Sequence, residues 1–217
     1  MISILGLCAA AACTKAPEYV EWTPDSHPEI LEVCGGPTVF ETACGPAWHF
    51  DGEDDAFFFD SVPVAGLEEF TLEVVFRQDP TASFEQRFLH MGTMGNRVLF
   101  ETRVNPDSTW YFDAFVRLGE SKAESSVLID PEKTHPAGEW YSLALAASPE
   151  GLSSYVDGQL QFSSDLAYRP LITEGSTSLG VRQNRVCWFK GDILKIRTTP
   201  RALKPEELLD DYVELNR

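Results

Sequence analysis

The densest chemistry in this chain lies in the loop Gly180 to Trp188, GVRQNRVCW. Arg182, Gln183, Asn184 and Arg185 gather hydrogen-bond donors there beside the Trp188 ring, in a chain otherwise short of positive charge. Sugar recognition uses planar polar groups for hydroxyls and an aromatic face for the C–H surface of the ring. Two arginines also suit a carboxylate or a sulfate. The competing reading has no ligand: the arginines pair with surplus carboxylates and Trp188 joins the core. A second cluster, Asp51, Glu53, Asp54 and Asp55, has the oxygen density that Ca2+ takes from a loop, with Asp51 and Asp54 as the candidate ligands. Aspartates also cap backbone N–H groups in ordinary turns.

A third candidate is Ser83 to Met91, SFEQRFLHM, where Glu85 and His90 would make an acid/base pair. A lone histidine in an apolar strand is more often a satisfied core residue, and Glu85 with Arg87, on one side of a strand, suits an ion pair. Trp110, Tyr111, Trp140 and Tyr141 suggest a stacking platform; strand alternation assigns the tryptophans to the core and turns Tyr111 and Tyr141 outward. No G-x-S-x-G elbow, H-E-x-x-H run or phosphate-cradling glycine loop occurs. Cys34 and Cys44 flank Gly35-Gly36-Pro37, a turn that would fold them across a hairpin into a disulfide, leaving Cys187 as a buried thiol. No C-x-x-C or Cys/His cluster offers a soft metal site.

Strands must hold these residues. Glu139 to Ala147 reads as a strand closed by Pro149 to Gly151, and Leu152 to Val156 as the next; Asp157-Gly158 is a two-residue hairpin turn into Gln159 to Phe162. FTLEVVFR places Phe70, Leu72, Val74 and Phe76 on one side. Similar segments recur from Thr38 to Thr198. One helix is expected over Pro205 to Leu215, with proline and glutamates at its start and an apolar stripe of Leu208, Leu209, Tyr212 and Val213. A chain of 217 residues, 43% hydrophobic, with this pattern is an all-β antiparallel sandwich with a short C-terminal helix.

Seventeen Lys and Arg stand against 34 Asp and Glu, a formal charge of −17. That field repels phosphate backbones and excludes nucleic acid as a partner. It repels anionic polysaccharide as well, unless a local basic patch or a cation intervenes. Met1 to Ala12 is apolar, has the make-up of a signal peptide, and ends in Ala10-Ala11-Ala12-Cys13, which resembles a bacterial lipobox with Cys13 as the lipidated residue. No Lys or Arg precedes the apolar run, a departure from the usual signal. Residues 13–30, with Pro17, Pro24 and Pro28, read as an extended tether, and 31–217 as the domain. The protein is then exported and lipid-anchored at the bacterial envelope, or otherwise secreted, touching the membrane through its anchor alone.

Three segments in order resemble a known family: FDGEDDAFFFD with EEFTLEVVFR, then GEWYSLALA with YVDGQLQFSS, then SLGVRQ with FKGDILKIRTTPRALKPEEL. They resemble the opening strand pair, the central hairpin and the closing segment of LamG-like domains in the concanavalin A-like lectin (glucanase) superfamily, from Phe50 to Leu208. The resemblance implies a two-sheet antiparallel jelly roll with one concave sheet, a fold that hosts lectins and polysaccharide-cleaving enzymes. It also implies that a structural Ca2+ would take an acidic ligand after the F-x-G-x-I run; Leu194 stands there, Lys195 follows, and Asp192 is out of register. The E-x-D-x-x-E run of retaining glucanases is absent, and no alginate-lyase-like set of Gln, His and Tyr is found. The expectation is a non-catalytic module binding carbohydrate or glycoprotein through Arg182 to Trp188 and the concave sheet. The alternatives are a polysaccharide-active enzyme on the same fold and a structural adhesion domain without a sugar site.

Overall fold

Alternating apolar residues sort the chain into strands throughout the computed structural model, which describes residues 19–217. The signal segment 1–12, Cys13 and the start of the tether lie outside the described residues. The first strands are β1 (Val20–Trp22), β2 (Ile30–Cys34), β3 (Thr38–Thr42), β4 (Gly45–Asp51) and β5 (Ala56–Phe59). The long ones follow: β6 (Phe70–Gln78), β7 (Glu85–Gly92), β8 (Asn96–Val104) and β9 (Thr109–Leu118). After β10 (Ser125–Ile129) and the short β11 (His135–Pro136) come β12 (Trp140–Ser148), β13 (Gly151–Val156), β14 (Gln159–Ser164), β15 (Ser176–Leu179) and β16 (Lys190–Thr199).

They form two antiparallel sheets. The first runs β14-β13-β12-β6-β16-β4-β3, with β1 also on β16; the second runs β10-β9-β8-β7-β15-β5-β2, with β11 also on β9. The inward residues of both meet in one aromatic layer. Phe76 stacks on Phe88 at 5.4 Å between ring centroids and meets Trp110 edge-on at 5.0 Å. Trp110 donates its Nε1–H to the Pro136 carbonyl at 3.1 Å, so the one polar atom of that ring is satisfied inside the core. The expected hairpin forms with Asp157 at φ 50° and Gly158 at φ 71°, the left-handed pair that a two-residue turn of this hand requires.

Three expectations are corrected. The tether does not reach residue 30: Val20–Trp22 pairs with β16, and Trp22 is buried against Phe59 at 5.2 Å. The burial of one indole outweighs the proline-rich composition around it. Cys34 and Cys44 do not form a disulfide; both are free thiols, as is Cys187. The turn between them carries the chain from one sheet to the other, and β3 then runs on for roughly 15 Å before Cys44, beyond the ~7 Å Cα separation a disulfide tolerates.

The expected helix over Pro205 to Leu215 breaks into a 3-10 turn at Pro205–Glu207 and a short α1 (Tyr212–Leu215). Tertiary anchors win over the apolar stripe. Thr71 Oγ1 donates to the Arg201 carbonyl at 2.9 Å and accepts from Leu203 N at 2.7 Å, while Glu73 accepts from Leu209 N at 2.7 Å. Asn216 closes the segment, exchanging two hydrogen bonds with the backbone of Trp140 at 2.8 and 2.9 Å. Leu209 enters a small cluster with Val75, Trp140 and Leu194. The C-terminal segment is therefore a strap across the outer face of the first sheet; among the described residues it does not extend to the corresponding face of the second sheet.

Gly180 sets the path of the loop that follows β15. It holds φ +90°, and a Cβ there would lie 2.5 Å from Phe50 Cδ1 and 2.6 Å from the Asp55 carbonyl oxygen. Gly180→Ala is expected to destabilise the protein by about 2–4 kcal/mol, read as a lowered urea midpoint at unchanged m-value.

Candidate functional site

On β8 and β9 the inward positions are apolar apart from Thr102, and the outward ones mix charged residues with Leu99, Tyr111 and Phe115. Val98, Phe100 and Val104 enter the core, so Arg97, Leu99, Glu101 and Arg103 face out. The register sets Glu101 opposite Asp113 on β9 and opposite Arg87 on β7, and Arg103 opposite Glu85. A bulge between Arg87 and Leu89 opens the ladder for the loop. Arg87 N donates to the Cys187 carbonyl at 2.9 Å and Gly180 N to the Phe88 carbonyl at 2.8 Å, which lays Val181 to Cys187 beside the sheet and brings Arg182 over it. The groove so formed has a volume of about 240 Å³, walled by Leu99, Phe115 and Val127 besides the charged groups.

Two arginines hold three carboxylates. Arg103 spans Glu101 at 3.0 Å and Asp113 at 2.6 Å, and Arg87 donates to Glu101 at 3.0 Å and also pairs with Glu85. Burial raises the Asp113 carboxyl to about 6, with the Glu101 charge adding and Arg103 opposing. Burial acts in the same direction on Glu85, but Arg87 and Arg103 reverse it and hold that carboxyl low.

Among the described residues, Arg97 and Arg182 have no carboxylate partner. Arg97 is 7% exposed, donates one Nη1–H to the Met94 carbonyl, and lies over the Phe115 ring at 4.7 Å; its Nε–H is unpaired. Arg182 Nε is likewise buried without a partner. Burial and the charges of Arg182 and Arg117 lower Arg97 to about 10, and burial with the charge of Arg87 lowers Arg182.

The larger cleft, about 380 Å³ beside Phe40, Arg77 and Pro80, lacks such unused groups. Its Asp192 is taken by His49 at 2.8 Å and Arg77 at 2.7 Å, and Arg77 lies over the rings of Trp140 and Phe40.

Of the loop residues read from sequence, Arg182 alone lines the groove. Gln183 is a strut, donating to the Gly92 and Ser176 carbonyls at 2.9 and 2.8 Å. Arg185 turns away at φ 58° to a two-pronged pair with Glu32 at 2.7 and 2.8 Å, over Phe58. Asn184 is exposed, and Trp188 is half-buried outside both apolar clusters. Cys187 is half-buried beside Glu85, and burial raises its thiol. The stacking platform is corrected: Tyr141 is in the main core, Tyr111 is buried, and Trp140 lies under the strap.

Asp51, Asp54 and Asp55 each bring one ligand oxygen within 4.8 Å of the others. Asp51 Oδ1 already accepts from Glu53 N at 2.8 Å, and Asp55 accepts from Gly36 N at 2.6 Å and Asp51 N at 3.0 Å. Across the ladder, Asp51 faces Lys190, and Leu194 is buried. A Ca2+ ion here would draw its protein ligands from this one turn.

Glu85 and His90 are not an acid/base pair. His90 is fully buried, 3.1 Å from the Thr93 carbonyl, and burial lowers it to about 4, aided by Arg97 and Arg182. A histidine whose folded value lies below its unfolded one contributes stability that is present at neutral pH and lost as pH falls from about 6.5 to about 4. Asp113, raised to about 6, acts in the opposite sense: it is protonated first in the folded state and stabilises as pH falls. Replacing His90 with Asn should shrink the loss of stability between pH 7 and pH 5 by on the order of 1–2 kcal/mol, measured from urea midpoints; an unchanged slope would refute a buried neutral His90.

The concanavalin A-like lectin/glucanases superfamily, in its laminin G form, matches residues 51–209. Among solved structures, a heptameric SAP-like pentraxin from Limulus polyphemus is similar at TM-score 0.58 and 14% identity, over 74% of this chain and 78% of the pentraxin chain. Domain 4 of AbnA, a GH43 extracellular arabinanase from Geobacillus stearothermophilus solved with arabinotriose, is similar at TM-score 0.55 and 15% identity, over 92% of this chain and 88% of that one. The botulinum neurotoxin type G receptor binding domain is similar at TM-score 0.59 and 10% identity, over 84% of this chain and 45% of that one. No curated protein matches.

Proposed function

Because the chain belongs to the concanavalin A-like lectin/glucanases superfamily, we propose that it is a non-catalytic carbohydrate- or glycoprotein-binding module whose site is the groove on the outer face of the second sheet. The observation that carries this reading is the asymmetry of the two faces. The strap occupies one sheet, whereas the other presents planar donors beside Leu99, Phe115 and Val127 in a walled groove. Guanidinium groups meet hydroxyls and anions, and the apolar wall meets sugar C–H surface. The arabinanase domain with bound arabinotriose supports the same class of ligand by likeness of fold.

A glycan array tests this with a paired control. Val127 is 48% exposed at the groove, and Val39 is 53% exposed on the first sheet. Val127→Trp should weaken binding at least tenfold while Val39→Trp leaves it unchanged; equal effects, or none, would move the site elsewhere.

Glu101 opposite Asp113, with Asp113 at about 6, favours a second reading as a glycoside-cleaving enzyme. Both carboxylates are held by Arg103 and nearly fully buried, which ranks this below binding. Release of reducing ends from a polysaccharide panel, abolished by Glu101→Gln and by Asp113→Asn, would reverse that ranking.

The module acts outside the cytoplasm, lipid-anchored through Cys13 or secreted after removal of 1–12, on the strength of the Ala10-Ala11-Ala12-Cys13 run. In a bacterial host, Cys13→Ser should shift the protein from the membrane fraction to the soluble one and abolish palmitate labelling. Ca2+ at Asp51 and Asp54 is a separate structural proposal. It requires a rise in thermal midpoint with millimolar Ca2+ that Asp54→Asn removes.

A further inference from the structure

The unpaired arginines narrow the ligand. We propose that the groove takes an acidic sugar, with the carboxylate or sulfate of an anionic polysaccharide seated between Arg97 and Arg182. This rests on the binding-module reading and names the chemistry of its ligand.

The charge count in the groove is the starting point. Among the described residues, Glu85, Glu101 and Asp113 make their direct ion pairs with Arg87 and Arg103, and with Arg97 and Arg182 the groove carries four guanidiniums against these three carboxylates, one positive charge in excess. Arg97 and Arg182 still sit in the same groove, both with an unpaired buried Nε–H, in a chain where acidic residues outnumber basic ones two to one. With 34 carboxylates available, leaving two neighbouring guanidiniums without one is costly to the free protein. Arg97 also carries the repulsion of Arg182, and Arg182 that of Arg87. An incoming anion relieves both costs at once, and a planar carboxylate or a sulfate matches the guanidinium fork.

Phe115 supports a sugar as the carrier of that anion. Its ring holds Arg97 from one side and, with Leu99 and Val127, makes the apolar wall beside the charge. A sugar ring bearing an acidic substituent has both surfaces within a few ångströms. A free inorganic anion would leave the wall unused.

The test uses two pairs of polymers, each of similar backbone but differing in charge, with the whole protein. Polygalacturonate against its fully methyl-esterified form reads the carboxylate; carrageenan against agarose reads the sulfate. Affinity electrophoresis or calorimetry should show at least tenfold tighter binding to the acidic member of one pair or both. Arg97→Gln and Arg182→Gln should each remove that preference. Arg169→Gln, which deletes an equal charge at the exposed Glu124 pair, should keep it. Arg182→Gln should also raise the thermal midpoint, because it removes a like charge, whereas a purely structural arginine would lower it. Equal binding to acidic and neutral members, or a preference that survives Arg182→Gln, would overturn the acidic-sugar assignment while leaving a binding module in place. Absence of binding to all four polymers would overturn it too. A glycan array blank for neutral and acidic ligands alike would remove the module reading with it.

Discussion

Everything at the surface of the second sheet depends on a parity forced from inside. Val98, Phe100 and Val104 of β8, and Trp110, Phe112 and Ala114 of β9, are held inward by a shared core with Phe76 and Phe88. Period-two geometry then leaves no freedom to the residues between them. Arg97, Glu101, Arg103 and Asp113 face outward because a slip of one residue would drive four charges into the aromatic layer. Hydrophobic burial of roughly 1.5–3 kcal/mol per large side chain holds the register, and the register places the charges.

Those charges are themselves partly desolvated, which sets their energetics apart from ordinary surface pairs. An exposed pair such as Arg185 with Glu32 is worth about 0–1 kcal/mol. Around Glu101 the balance differs: the desolvation cost is real, and each partner removed leaves another charge stranded. Arg103 bridging Glu101 and Asp113 therefore acts as a clamp between adjacent strands, and its removal would expose two facing carboxylates to mutual repulsion. The same rules make the unpartnered state of Arg97 and Arg182 informative, since burial without a counter-ion persists only where something else is gained.

How much of this was legible in the sequence varied with the range of the forces involved. Local pattern sufficed for the strands: FTLEVVFR sits within β6, and Asp157-Gly158 turns the hairpin between β13 and β14. It failed where a distant contact decided. Trp22 makes a three-residue strand among prolines only because Phe59 and β16 are waiting for it. Leu209 and Asn216 break a plausible helix because Glu73 and the Trp140 backbone claim them. The loop from Arg182 to Trp188 was visible as a concentration of donors, but which donor reached the groove was set by a bulge at Arg87 that no motif announces. Arg97, Glu101 and Arg103 were readable in principle as charges at alternate positions of an apolar strand. Their partners on β7 and β9 were not, because cross-strand neighbours have no fixed spacing in sequence.

An acidic ligand for so acidic a chain is a matter of length scale. At physiological ionic strength charges are screened beyond about 8 Å, so most of the surface carboxylates act weakly on an anion seated in the groove. Within that distance Glu101 and Asp113 are already paired with Arg87 and Arg103, and the anion meets Arg97 and Arg182 directly, behind low-dielectric walls that strengthen the attraction. The surrounding negative surface then works as a filter. It disfavours polyanions that approach flat, such as nucleic acid, and it tolerates a chain whose acidic rings can enter the groove individually with their carbon faces against Phe115 and Val127. A modest number of well-placed cations within an acidic envelope is thus a device for selectivity, trading long-range attraction for discrimination at contact.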